Sequence, residues 1–79
     1  MAPTVFNSGE FRYFFFSREE TRMHVHVESG NGEAKFWLEP VIALASYNGL
    51  TKKDLIRLQR VIEERQNEIK ASWNRHFKA

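Results

Sequence analysis

Apolar and polar residues alternate along the first half of the chain with a period of two, which is typical of half-buried strands. The segment FRYFFFS, residues 11–17, is the most strand-prone, because aromatic residues fit a pleated surface. The segment TVF precedes it, and the intervening NSG is typical of a turn. The pattern predicts a first β-hairpin whose second strand has Phe11, Tyr13 and Phe15 on one face.

A second hairpin is predicted from the next pair of alternating segments. HVHVE, residues 24–28, places two valines on one face and two histidines with a glutamate on the other. SGNG then supplies turn residues, and AKFWL resumes the alternation up to Pro40. Residues 41–47 favour a short edge strand. We therefore expect an antiparallel sheet of four to five strands within residues 3–47.

From residue 51 the spacing of apolar residues changes to three and four, which is typical of a helix. Thr51, followed three residues later by Asp54, is typical of a helix N-cap. The apolar positions that follow share one face of a helix: Leu55, Leu58, Ile62, Ile69, Trp73 and Phe77. We predict one long amphipathic helix over residues 51–77, packed on the sheet in a single α+β domain that spans residues 1–79.

A helix of this length would extend beyond its sheet. About 26 residues run roughly 39 Å, whereas a strand of about six residues spans roughly 20 Å. The distal apolar residues Ile69, Trp73 and Phe77 would then need a cover from a partner protein or from a second copy of the chain. The alternative is that the helix kinks or frays after Asn67.

Composition narrows the class of protein. A chain of 79 residues with 42% hydrophobic residues and a net charge of +2 is globular rather than disordered. The absence of cysteine excludes disulfides, thiolate nucleophiles and cysteine zinc sites. The 12 basic residues exceed the 10 acidic residues by too little to indicate nucleic-acid binding by themselves. MAPTVFNSGE lacks the features of a secretion signal and no apolar run is long enough to span a membrane, so we expect a cytoplasmic protein.

The two histidines of HVHVE are the candidates for catalysis. Histidine titrates near neutral pH, so His24 and His26 can serve as general acid and base in RNA cleavage without a metal ion. Phe14, Phe16 and Trp37 would form a surface on which bases stack, and the alternation groups Trp37 with charged residues. Three cations are candidates for holding the phosphate charge: Arg12, Arg22 and Lys35. Alternation places Arg12, His26 and Lys35 on one face only if the strand register allows it.

Two other interpretations of these residues stay open. His24, His26 and Glu28 have the ligand types of a two-histidine, one-carboxylate metal site. On one strand, however, they span about 13 Å, so a further ligand from another strand would be required. Alternatively, both histidines cover the polar side of the hairpin in a non-catalytic module for protein–protein interaction. We predict no metal and no other cofactor for the catalytic interpretation.

Three segments together resemble a known family: FRYFFFSREE, HVHVESGNGEAKFWLEP and LASYNGLTKKDLIRLQRVIEERQNEIKASWNRHF. They are similar, over almost the whole chain, to the small bacterial family called domain of unknown function 4160. One departure is Arg22-Met23 before His24, where many members carry two prolines.

The resemblance implies a cytoplasmic bacterial protein that works with a second short protein encoded by an adjacent gene, as in toxin–antitoxin pairs. It transfers no proven catalytic residue. Many such toxins cleave RNA without metal ions, so the resemblance favours a metal-independent endoribonuclease. It also favours a partner protein at the distal helix residues Ile69, Trp73 and Phe77.

Overall fold

The computed structural model describes residues 4–16 and 22–78, which form one antiparallel sheet and two helices. The strands pair in sequence order, β1-β2-β3-β4-β5. Their bounds are β1 Thr4–Ser8, β2 Phe11–Phe14, β3 His24–Glu28, β4 Glu33–Trp37 and β5 Ala43–Asn48, followed by α1 Lys52–Glu64 and α2 Gln66–Lys78. The predicted α+β class, both hairpins and the strand after Pro40 are confirmed. Ser17, which the predicted second strand included, lies outside the described residues, as do residues 1–3.

The helices cover one face of the sheet, and the alternation of the strands decides which residues they bury. Val25 and Val27 of the central strand β3 have no exposed surface, and Phe36 of β4 is equally buried. From the helices, Leu58 and Ile62 of α1 join the core, as do Ile69 and Trp73 of α2. Side chains at the intervening strand positions point to the opposite face of the sheet.

Both edge strands contain an irregularity. The register of β1 against β2 shifts between Thr4 and Phe6, and that of β5 against β4 shifts where Lys35 is followed by Phe36. Such bulges bend a strand and increase its twist, which hinders pairing with a further strand. The sheet is therefore ill suited to growth at either edge.

The C-terminal segment forms two helices, where the sequence predicts one. α1 begins at the N-cap Thr51, whose hydroxyl accepts from the Asp54 backbone N–H while the Asp54 carboxylate accepts from the Thr51 backbone N–H, both at 3.1 Å. α1 ends at Arg65, where φ is −114° and ψ is 21°. The Arg65 guanidinium donates two hydrogen bonds of 3.0 Å to Glu68 and lies 3.5 Å from the centre of the Phe6 ring. The break in the helix thus coincides with a contact between Arg65 and β1. Within the described residues, neither helix is long and apolar enough to cross a membrane.

The break corrects the predicted overhang of a single long helix. Ile69 has no exposed surface, Trp73 is 5% exposed, and Phe77 packs partly buried against the core. The Trp73 indole meets the Phe15 ring edge to face, with centroids 5.3 Å apart. The chain's own sheet therefore supplies the cover that an overhanging helix would have lacked. Binding of a partner at these three residues stays a prediction, without the geometric reason first given for it.

Tyr13 lies in the core close to the helix break. It is almost fully buried and stacks on Phe6, with ring centroids 4.5 Å apart. Burial raises the pKa of Tyr13 to about 12, because the phenolate would lose its hydration, and the positive charge of Arg65 opposes part of that rise.

Candidate functional site

The sheet face opposite the core carries the side chains in which the sequence suggests chemistry, and we call it the open face. Cross-strand partners share a face in an antiparallel pair. Arg12 lies opposite Glu28, His26 lies between Phe14 and Lys35, and His24 lies opposite Trp37. The three central strands β2, β3 and β4 thus contribute eight residues to the open face: Arg12, Phe14, His24, His26, Glu28, Glu33, Lys35 and Trp37. The register brings His26 and Lys35 side by side and places Arg12 two residues along the sheet.

His26 lies at the centre of the open face and is half-buried. Its imidazole stacks on Phe14 at a centroid distance of 5.5 Å and meets Phe16, just past the end of β2, edge to face at 4.4 Å. The His24 ring lies 5.0 Å away, also edge to face. Three rings therefore hold the His26 imidazole in place while part of it remains accessible to a ligand.

His24 shares the face by alternation but is completely buried. Its Nδ1 lies 2.7 Å from the carbonyl oxygen of Arg22, and because a carbonyl can only accept, Nδ1 carries the proton and donates it. Its ring also meets Trp73 of α2 at 5.2 Å and Trp37 at 5.7 Å. A ring without exposed surface cannot touch a substrate. Of the predicted acid–base pair, this arrangement therefore presents only His26 to a ligand.

Trp37 is the aromatic residue with the most cationic surroundings. The guanidinium carbon of Arg22 lies 4.0 Å from its ring centre, and the Lys35 Nζ lies 4.4 Å from it. Such cation–π contacts contribute about 0.5–1 kcal/mol each at exposed sites. Arg22 is further anchored by its Nε, which donates to the Glu39 carbonyl at 3.0 Å. Two positive charges are thus held beside one half-buried indole.

Arg12, a predicted phosphate contact, already binds groups of its own chain. Its Nη1 forms an ion pair of 2.7 Å with Glu28, its Nε donates to the Thr4 hydroxyl at 2.8 Å, and its guanidinium lies 4.5 Å from the Phe14 ring centre. Because Glu28 offsets much of its charge, Arg12 is a weak candidate for a phosphate contact.

A groove of about 560 Å³ lies beside His26 and ends at the turn between β3 and β4. Phe16 and His26 line it, as do Glu28 and Glu33, which are opposite each other in the register, and Asn48 of β5. Glu33 and Asn48 were not among the predicted site residues. The register of the second hairpin, which sets Glu33 opposite Glu28, was the signal available in the sequence.

Two glycines allow the turns beside the groove to approach each other closely. Gly49 has a φ of +80°, a conformation that residues with a Cβ avoid, and a Cβ there would collide with the Asn31 carbonyl oxygen. A Cβ on Gly32 would collide with the Asn48 carbonyl oxygen. The turn after β3 and the turn after β5 therefore meet backbone to backbone, which fixes Asn48 against the β3–β4 hairpin.

The predicted metal set of His24, His26 and Glu28 is not arranged around a common point. Across residues 4–16 and 22–78, no group of three or more histidine, aspartate or glutamate side chains is placed to hold a metal ion. Glu28 instead binds Arg12, and His24 is directed to the backbone of Arg22.

Most of the chain matches the model of a known protein family. The sequence model of a family described as "Domain of unknown function (DUF4160)" matches residues 11–74. The matched segment runs from β2 into α2 and includes the strand residues of the open face and the groove. No curated protein and no solved structure matches the chain.

Proposed function

The chain belongs to the DUF4160 family, and on that premise we propose that its open face binds single-stranded RNA, as one component of a two-protein, toxin–antitoxin-like module. The observation that carries this proposal is Trp37, which has Arg22 and Lys35 against its ring on the sheet face opposite the core. An aromatic ring flanked by cations offers a base a stacking surface and offers the adjoining phosphates positive charge.

The rings of the open face suit stacking because several remain accessible. Phe16 is 48% exposed, and His26 and Trp37 are half-buried. Stacking of a base on an aromatic side chain is worth about 1–3 kcal/mol by alanine substitution, and it is tolerant of base identity. An extended strand of RNA that crosses the sheet would thus meet a ring beside His26 and another at Trp37, with Lys35 between them for the phosphates.

Fluorescence anisotropy with a labelled uridine oligomer of about twelve nucleotides tests the proposal. We expect Trp37→Ala to weaken binding by about 5- to 150-fold, since it removes one stacking surface. Lys35→Ala should lower the slope of log affinity against log salt by about 0.7, as one phosphate contact is lost. Ile56→Ala and Lys53→Ala, both at exposed positions of α1, are the matched controls and should bind like the natural chain. Failure of the natural chain to bind the oligomer would overturn the proposal.

The family resemblance favours RNA cleavage in addition to RNA binding. We propose that His26 is the proton acceptor in this reaction, because its ring is accessible at the surface. The 2′-oxygen would give its proton to His26 as it forms a bond to the adjacent phosphorus. The bond from phosphorus to the 5′-oxygen would then break, and that oxygen would take a proton from solvent. His24 acts in this scheme as a positioning residue, because its buried ring lies 5.0 Å from that of His26.

End-labelled RNA incubated with the protein and a chelator tests the cleavage step. The expected products end in a 2′,3′-cyclic phosphate. His26→Ala should abolish them, whereas uridine-oligomer binding should weaken only by the loss of one ring, about 5- to 150-fold. Growth arrest on expression should likewise disappear in a His24→Ala, His26→Ala double variant. Arrest that survives the double variant would remove the catalytic role and leave RNA binding to stand alone.

The second candidate function is a non-catalytic interaction module, and the apolar residues exposed around β5 favour it. Val41 is 67% exposed and Tyr47 is 56% exposed, with Leu44 between them. Side chains of this kind suit a contact with the short protein that the resemblance expects from the adjacent gene. Co-purification of the two gene products tests this. Leu44→Lys with Tyr47→Lys should prevent it, whereas Ile56→Lys on α1 should not.

A further inference from the structure

Glu33 is the unusual residue of the groove beside His26. It is exposed and directly opposite Glu28, and two like charges in opposite positions on neighbouring strands repel each other. Arg12 neutralises Glu28 through its ion pair of 2.7 Å. Among the residues that the structure describes, none forms an ion pair with Glu33. Within residues 4–16 and 22–78, the groove therefore keeps one carboxylate that has no ion-pair partner, next to the aromatic rings.

A carboxylate is unfavourable on a surface that attracts phosphates, unless it contacts the base. A charged carboxylate only accepts hydrogen bonds, so the matching group must present donors. Guanine is the base with two donors side by side, the N1–H and the N2 amino group. Adenine and cytosine each set their amino group beside an acceptor nitrogen, and the single donor of uracil lies between two carbonyl oxygens.

We propose that this groove is a guanine-binding subsite of the open face, an inference that rests on the proposed binding of RNA. Glu33 accepts from the N1–H and the N2 amino group of the base. The guanine ring stacks against Phe16 and His26, which line the same groove. A volume of about 560 Å³ is within the usual range for small-ligand pockets, about 300–1,000 Å³.

Asn48 completes the match. It lies opposite Glu33 in the register of β4 and β5 and lines the groove. The O6 oxygen of guanine is adjacent to N1–H on the same edge of the base, and an amide N–H is a suitable donor to it. One carboxylate and one amide on neighbouring strands thus match the order donor, donor, acceptor. The contact between Gly49 and Asn31 holds Asn48 in that position.

Anisotropy with four labelled RNAs tests the inference. One is the uridine oligomer, and the others carry a single central guanosine, adenosine or inosine, the last of which lacks the N2 amino group. We expect the natural chain to bind the guanosine RNA about tenfold or more tightly than the adenosine RNA, because two charge-assisted hydrogen bonds form. The inosine RNA should fall between them.

The Glu33→Gln variant gives the sharpest outcome, because its two effects have opposite signs. It should lose most of the preference for guanosine, while its affinity for the uridine oligomer stays the same or rises as a negative charge is removed. Glu64→Gln, an equal change of charge at an exposed position of α1, should change neither. Equal affinity of the natural chain for all four RNAs, or a guanosine preference that survives Glu33→Gln, would overturn the inference and leave RNA binding intact. No binding to any of the four would overturn both.

Discussion

Replacing Trp73 with alanine tests whether this residue belongs to the core or is an exposed docking residue for a partner. In the structure the indole is 5% exposed and meets the rings of Phe15 at 5.3 Å, Phe77 at 4.2 Å and His24 at 5.2 Å. If the residue were instead an exposed anchor for a partner, truncating it in the free protein would change the free energy of unfolding by no more than about 0.5 kcal/mol.

The structure predicts a much larger loss in the free energy of unfolding. Truncating a buried Trp to Ala costs about 3–5 kcal/mol, because the transfer energy is lost and a cavity remains. A chain of 79 residues, at about 0.05–0.15 kcal/mol per residue, has a total stability of about 4–12 kcal/mol. Trp73→Ala therefore removes a quarter or more of the total and can leave the chain unfolded. Trp73→Phe keeps a ring in the site, and we expect it to cost about 1–2 kcal/mol.

Equilibrium unfolding in urea, followed by far-ultraviolet circular dichroism, measures both variants. The free energy falls linearly with urea, with a slope of about 1–3 kcal/mol per molar for small proteins, so losses of this size shift the midpoint clearly. Ile56→Ala, at a position that is 54% exposed, is the control and should shift it little. A loss below about 1 kcal/mol for Trp73→Ala would refute the placement of this indole in the core.

Three further predictions concern the rest of the fold. Folding raises the pKa of Tyr13 from 10.0 to about 12, so the neutral form is favoured in the folded state and stability is lost as the pH rises from about 10 to 12. The midpoint of urea unfolding should fall over this range by the equivalent of about 2–3 kcal/mol. Tyr13→Phe should remove this pH dependence. Gly49→Ala should cost more than about 1 kcal/mol in thermal unfolding, because φ is +80° and the Asn31 carbonyl occupies the space, whereas Gly30→Ala, which meets nothing within 4 Å, should be nearly neutral. Thr51→Ala should cost about 1 kcal/mol by removing the cap of α1, and Thr51→Ser should restore most of it.

The strands and the N-cap of α1 could be predicted from the sequence because their signals are local. A period of two assigns Val25 and His26 to opposite faces without knowledge of any other segment, and Thr51 with Asp54 identifies a cap within four residues. The two faces of each single strand follow from this local pattern. Which faces of neighbouring strands come together depends on the register, which the pattern does not fix.

The helix break and the depth of each side chain could not be predicted in the same way. The apolar spacing continues from Ile62 to Ile69, with neither glycine nor proline between them. The break nevertheless lies at Arg65, whose guanidinium contacts Phe6, far away in sequence. Likewise, alternation assigns His24 to a face but does not show that Trp73 buries it. Both outcomes depend on tertiary contacts that overrule local preference.

The position of α2 after the strands in the sequence has a consequence for synthesis on the ribosome. All five strands are translated before α2, so a growing chain first presents a hairpin sheet whose apolar face is without Ile69 and Trp73. The sheet can begin to form during translation, but its core is completed only after the last helix has left the exit tunnel. Nascent chains stalled before that point should therefore be the form most readily captured by chaperones.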